Sequence, residues 1–281
     1  MTLQTTPLQI AVLGAGYVGS AVARDAVARG HAVWALRRSA IRDGAHDGIR
    51  WISGDLAGAP VDGLPEHLDA VVLTVAPSRA VDGYDSTYPP AARAAVAIAR
   101  AHGARALVYT SSTGVYGGRD GAWVAEESPR LGAGDANAAL IAAEDIVLGA
   151  TLPSATVLRV AGIYGPGRDP RGRMGQAAAL AQRGAYWTNL AHRDDVVAAV
   201  RHALGMPRGV RALNVSDGAP TQAADVARWL AQAAGRDPGQ LQFGNEAQRS
   251  RNDQRVSNAA LVATGWSARF PNFRDGFTDG L

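Results

Sequence analysis

Along the first 160 residues, short apolar runs alternate with longer stretches in which apolar side chains recur at helical spacing. Residues 8–13 are apolar almost throughout and end at a glycine, and residues 17–29 carry Ala and Val at three- and four-residue intervals, which predicts strand, turn and helix. Gly30 and His31 close that helix, and residues 32–36 supply a second strand. Residues 50–53, 70–75, 106–110 and 155–160 predict further strands, with helices over about 90–102 and 135–148. Nearly continuous apolar strands are expected where both faces of a parallel sheet are covered. The alternation therefore predicts an α/β fold with a doubly wound parallel sheet and right-handed crossovers. Beyond residue 160 the pattern breaks into a loop over 165–173 dense in Gly, Pro and Arg. The expected organisation is a large α/β domain over 1–162, rejoined by 190–217, and a smaller C-terminal lobe over 163–189 and 218–281.

The turn between the first strand and first helix reads Gly14-Ala15-Gly16-Tyr17-Val18-Gly19. Its three glycines suit a tight turn, a close backbone approach to a pyrophosphate and close helix-to-strand contact. Phosphates placed there meet the free N–H groups and positive dipole end of the helix. The pattern gains weight from its position, after the first strand and opening the first helix. A site that prefers NAD places an acidic residue about 20 residues past the glycines, to hold the ribose 2′-hydroxyl. Here Arg37 and Arg38 stand at the end of the second strand, followed by Ser39. Two guanidinium groups suit a 2′-phosphate, so the expected cofactor is NADP(H). Tyr17 and Val18 of the turn, with Val75 and Ala76 at the end of the fourth strand, complete the candidate contacts on this side.

Composition narrows the chemistry. Hydrophobic residues make up 47% and charged residues 19% of 281, and no apolar run approaches the roughly 18 residues of a membrane span. The first seven residues lack the basic and apolar regions of a signal peptide, so a cytoplasmic protein is expected. Cysteine is absent, which removes disulfides, thiolate nucleophiles and sulfur-ligated metals. All 28 basic residues are arginine. No lysine can serve as Schiff base or proton-relay partner, whereas arginine suits the grip of phosphates and carboxylates. A net charge of +3 is too small to argue for nucleic acid, and the six histidines show no metal-ligand spacing. A small anionic substrate is expected, with no metal and no membrane partner.

Several ordered segments resemble the extended short-chain dehydrogenase/reductases, in particular their epimerase/dehydratase branch. Gly54-Asp55-Leu56 is similar to the family's adenine-contacting Gly-Asp-Leu. Residues 109–117, Tyr-Thr-Ser-Ser-Thr-Gly-Val-Tyr-Gly, resemble its fifth-strand signature. Residues 158–168 resemble its Tyr-Gly-Pro-Gly crossover, and 189–196 and 214–218 two later segments. The resemblance implies a Rossmann fold, cofactor contacts at Asp55 and Leu56, and a catalytic serine at Ser112. It departs at the Tyr-x-x-x-Lys pair. If Glu144 marks the glutamate four residues past that lysine, Ala136 and Leu140 occupy the pair's positions, and no alignment can restore a lysine. The glycine turn is also Gly-x-Gly-x-x-Gly rather than the extended group's Gly-x-x-Gly-x-x-Gly. The chain reads as an atypical member that keeps the cofactor site and lacks the standard relay.

What remains for catalysis is Ser112, which can polarise a carbonyl but is a poor acid or base, with Tyr116 and His192 as candidate proton donors. Both also fit structural roles, packing for the tyrosine and a hydrogen-bonded core position for the histidine. Glu126, Glu127 and Asp135 fit solvated loop charges or a helix cap as well as a general base. Thr113, Tyr164, Arg168 and Arg173 are the candidate substrate contacts, with Arg171 and Arg193 nearby. Asp194 and Asp195 stand at an expected helix start, where they can cap the helix and orient the His192 ring. Three functions fit: an NADP-dependent oxidoreductase or epimerase-like enzyme with a nonstandard relay, a redox-sensing NADP-binding protein without turnover, and a lyase or isomerase whose cofactor is structural. Alanine-rich helices near 90–102 and 135–148 fit a homodimer interface as well as intramolecular packing in a monomer.

Overall fold

The computed structural model describes residues 6–38, 47–56, 58, 61–77, 83–118, 120–131, 134–168, 181, 184–243 and 253–278. Among them a seven-stranded sheet carries the fold, in the order β11-β7-β5-β4-β1-β2-β3. Its strands are β1 (Gln9–Leu13), β2 (Ala32–Arg37), β3 (Ile49–Ser53), β4 (Ala70–Leu73), β5 (Ala106–Ser112), β7 (Ser154–Val160) and β11 (Gly209–Val215). The registered pairs from β3 across to β5 are all parallel. The order reverses about β1, with β2 on one side and β4 on the other. In open α/β sheets the ligand crevice lies at such a switch point, outside the strands' carboxyl ends.

Helices α1 (Tyr17–Ala28), α2 (Tyr84–Ala101), α3 (Asp135–Leu148) and α4 (Arg193–Gly205) supply the crossovers. Ala91, Ala92, Ala95 and Ala99 of α2 and Ala143 and Val147 of α3 join Leu73, Leu107 and Val157 in one core. Small side chains let α2 and α3 pack against each other. Helix α2 begins at Tyr84, earlier than the expected 90, and carries Pro89 and Pro90 inside it. The hydroxyls of Ser86 and Thr87 donate to the Gly83 carbonyl, at 3.1 and 2.9 Å, and the rings of Tyr84 and Tyr88 meet at 5.6 Å. Local contacts thus hold a turn ahead of the prolines, which would otherwise mark the helix start.

The chain divides into two compact units. The first comprises 1–112, 134–159 and 197–212, and holds most of the large sheet. The second comprises 113–133, 160–196 and 213–281. Its elements are short: β6 (Ala122–Val124) pairs with β13 (Gln254–Val256), β8 (Gly162–Tyr164) with β10 (Leu190–His192), and β9 (Trp187–Thr188) with β12 (Thr221–Gln222). Helices α5 (Ala223–Ala233), α6 (Ala259–Ala263) and α7 (Phe273–Thr278) complete it. Its core joins Tyr164, Val226, Leu230, Phe273 and Phe277. No helix among the described residues is long and apolar enough to cross a membrane.

Candidate functional site: a glycine cradle and a buried polar network

In the first unit the turn from β1 to α1 is built as a cradle. Gly14 has φ +90°, and a Cβ there would lie 2.8 Å from Val75 Cγ1 and 2.9 Å from Val75 N. A Cβ on Gly19 would meet the Thr74 hydroxyl and, at 2.6 Å, the Gly14 carbonyl. Gly14 must be small because the chain following β4 presses on the turn, and Gly19 because the Thr74 hydroxyl and the turn's own carbonyl do. Gly16 differs: the nearest atom to a Cβ there is 3.9 Å away. No contact among the described residues requires a glycine at 16, which suits a position kept bare for a ligand's approach. Thr74, which the sequence reading missed, ties the turn to the sheet through a 2.9 Å bond from its hydroxyl to the Gly14 carbonyl. The Gly14 and Ala15 N–H groups donate to the Leu36 carbonyl at 3.0 and 2.7 Å, which fastens the cradle to the end of β2.

Helix α1 starts with no side-chain cap and no acidic residue in its first turn. Its positive dipole end is left for an anion rather than met by a capping carboxylate. At the end of β2, the Arg37 guanidinium stacks 4.9 Å from the centre of the Trp51 ring on β3. A stacked guanidinium loses less freedom on gripping a ligand oxygen. Arg38 follows at an exposed position, Ser39 lies outside the described residues, Asp55 is exposed, Leu56 and Val75 are half-buried and Ala76 is exposed. Bare glycine, uncapped helix and terminal arginines together fit a dinucleotide with an anionic ribose substituent.

Ser112 ends β5 at a half-buried position. In the same unit, Glu144 on α3 grips Arg159 on β7, with oxygens 3.1 Å from Nε and 2.9 Å from Nη2. Both side chains are buried. Ala136, Leu140 and Glu144 share one face of α3 by their four-residue spacing, and Leu140 is buried. The Asp135 side chain, Arg171 and Arg173 lie outside the described residues.

The second unit buries most of the remaining candidates. Tyr116 is fully enclosed, and its hydroxyl donates to Asn214 Oδ1 at 2.8 Å. Asn214 also donates from Nδ2 to the Ser257 carbonyl (2.9 Å) and from its backbone to Glu126 Oε1 (2.7 Å). Glu126 is thereby part of a structural network, while Glu127 is exposed. Thr113 is buried, and its carbonyl accepts the Gln254 amide at 2.9 Å. Asn189 bonds the Gln254 carbonyl and the Val256 N–H at 2.9 and 2.8 Å. Buried amides therefore knit the 113–118, 189 and 214 segments to β13. The sequence reading took these segments as signatures without seeing the amides that join them.

His192 is buried against Phe270, centroids 4.1 Å apart, and Tyr164, at 5.2 Å. Its Nδ1 accepts the Asp194 backbone N–H at 3.2 Å. The neighbouring carboxylates are themselves held in place. Asp195 accepts the Arg269 and Phe270 N–H groups at 2.7 and 3.1 Å, and Asp194 pairs with Arg193 at 2.9 Å. Tyr164 is packed so closely on α7 that a Cβ at Gly276 would collide with its phenol. Burial first, then Asp217, Asp195 and Asp275, push its pKa well above the ordinary tyrosine value. Burial also raises Asp217 to about 7, although its carboxylate accepts the Ala219 N–H at 3.0 Å. Arg168 is exposed. Among the described residues no group of His, Asp and Glu is arranged to hold a metal.

Comparison with known proteins agrees with the cradle. Residues 14–207 match the NAD(P)H-binding family. Protein YeeZ of Escherichia coli is 32% identical over 218 residues, 74% of this chain and 77% of that protein. A Methylobacillus flagellatus structure, named provisionally as an NAD-dependent epimerase/dehydratase, is 28% identical, covers 97% of each chain and has a TM-score of 0.77. The Bordetella bronchiseptica enzyme WbmG, solved with NAD and UDP, shares the fold at a TM-score of 0.81 with 18% identity, over 97% of this chain and 93% of that one. From the glycine cradle through α4, then, this chain belongs to the NAD(P)H-binding family.

Proposed function

We propose that the chain is an NADP(H)-preferring oxidoreductase or epimerase-like enzyme that acts on a small anionic carbonyl or sugar-type substrate. The observation that carries this reading is the cradle itself: a bare Gly16, an uncapped α1 and the Trp51-stacked Arg37 stand together in one unit. Gly14, Gly16 and the first turn of α1 would hold the pyrophosphate, and Arg37 and Arg38 the 2′-phosphate. When bound, the nicotinamide supplies or accepts hydride. Ser112 orients the substrate oxygen by hydrogen bonding. A lysine-tuned tyrosine has no counterpart in a chain without lysine, so proton transfer follows another route. The buried Tyr116 acts through Asn214 as a positioning residue rather than as an acid.

Affinity for NADPH against NADH tests the cofactor reading; a preference for NADH would overturn the roles of Arg37 and Arg38. NADPH oxidation across a panel of small carbonyl acids and sugar phosphates tests turnover. Ser112→Ala should lower kcat by about tenfold or more, and an unchanged rate would remove Ser112 from the mechanism. A second reading, a redox sensor that binds cofactor without turnover, is favoured by the burial of Tyr116, Tyr164 and His192. Its mark is NADP(H)-dependent binding of another protein by a chain that oxidises none of the panel.

A further inference from the structure

The second unit carries an arginine held between two indole rings. Arg255 on β13 lies beside Trp123 in the β6–β13 register. Its guanidinium carbon sits 5.0 Å from the centres of both the Trp123 and Trp187 rings. Its Nε donates to the Gly121 carbonyl at 2.6 Å. Among the described residues no carboxylate pairs with it. The nearby acid, Asp253, accepts the Trp187 backbone N–H at 2.9 Å and so ties down the main chain that carries the second indole.

The surrounding loop is shaped to hold this arrangement. Asp120, the one non-glycine residue with positive φ among those described, precedes Gly121 at φ +71°. Asp and Gly are residues that take this left-handed conformation readily, so the chain can turn sharply at this point. Here they stand just before the carbonyl that holds Arg255. A Cβ on Gly121 would lie 2.6 Å from Trp187 Nε1, so the loop also seats the second ring. Packing alone does not call for this set, because Trp123 keeps 55% of its surface exposed.

We propose that Arg255, clamped between Trp123 and Trp187, anchors the phosphate or carboxylate of a ring-bearing ligand whose ring stacks on the outer face of Trp123. Stacking uses the faces of the guanidinium and leaves its N–H edge, the part that grips an oxyanion bidentately. Because the fork is already fixed, little side-chain freedom is lost on binding. The exposed indole adds an apolar face for the ring. The anchor rests on the reading of the chain as acting on a small anionic substrate, and it names a contact for that substrate.

The test is calorimetric titration of the full chain with phenyl phosphate and benzoate, alongside inorganic phosphate and acetate as ringless probes. At least one ring-bearing anion should bind saturably, about tenfold or more tighter than its ringless counterpart. The phosphate and carboxylate arms decide which oxyanion is preferred. Arg255→Lys keeps the charge, loses the fork and should weaken binding about tenfold. Trp123→Ala should abolish the advantage of the ring. Since Arg255 also holds the loop, Trp123→Ala, whose side chain is already largely in water, carries the test if Arg255→Lys fails to fold. No saturable binding of either aryl anion, or binding undiminished by Trp123→Ala, overturns the proposal. NADPH is titrated on the same preparation. A chain that binds NADPH but no aryl anion sinks the anchor alone, and one that binds an aryl anion through Trp123 but no NADPH sinks the cofactor reading alone.

Discussion

Glycines 16 and 19 separate two reasons for a small residue. Gly19→Ala drives a methyl group into the Thr74 hydroxyl and the Gly14 carbonyl, and should destabilise the fold by roughly 1–3 kcal/mol. Gly16→Ala meets nothing closer than 3.9 Å, and replacing the N-cap glycine of α1 should cost only about 1 kcal/mol or less. It should nonetheless weaken NADPH binding tenfold or more, because its methyl group projects where the pyrophosphate must come. Urea melts and cofactor titrations of the two variants check this; a Gly16→Ala chain that binds NADPH normally removes the pyrophosphate from that position. Asp217 offers a test by pH. Its folded pKa, raised to about 7 by burial, exceeds the unfolded value of about 3.9. The folded state therefore holds a proton that the unfolded state has lost, and stability falls as pH rises from about 4 through 7, by up to about 4 kcal/mol. Asp217→Asn should flatten this slope in melts at pH 5 and pH 8. An unchanged slope would assign it to other groups.

At the scale of elements, α3 and β7 are joined by the buried Glu144–Arg159 pair. Glu144→Gln leaves a buried guanidinium without its countercharge and should cost roughly 3–5 kcal/mol in chemical denaturation. A loss below about 1 kcal/mol would mean that water or another acceptor replaces the carboxylate. The strands and helices of the first unit were legible because each has a period or an apolar run of its own. Predicted and observed ends differ by a residue or two, as for the second strand, expected over 32–36 and found at Ala32–Arg37. Helix α2 was the exception, since Pro90 marks a helix start in sequence while Ser86 and Thr87 hold a further turn ahead of it by bonding the Gly83 carbonyl. The two- and three-residue strands β6, β8, β9, β10, β12 and β13 were not legible, being too short to show a period.

For the whole molecule, a ligand that binds only the folded chain stabilises it in proportion to the logarithm of one plus the ratio of its concentration to Kd, by about 2.7 kcal/mol at a hundredfold excess over Kd. NADPH should therefore raise the melting temperature more than NADH at equal concentration, and the Arg37→Ala/Arg38→Ala double variant should erase that difference. A difference that survives the double variant would place cofactor choice elsewhere. By itself the sequence determined the nucleotide half of this protein, because the glycine turn, the apolar strands and the absence of lysine are local facts that no packing can alter. Only the tertiary structure decided the rest. It placed Tyr116 on Asn214, His192 between Phe270 and Tyr164, and Arg255 between two indoles. Whether a tyrosine, histidine or arginine meets solvent or protein depends on chain segments tens of residues away, and the linear pattern carries no record of those meetings.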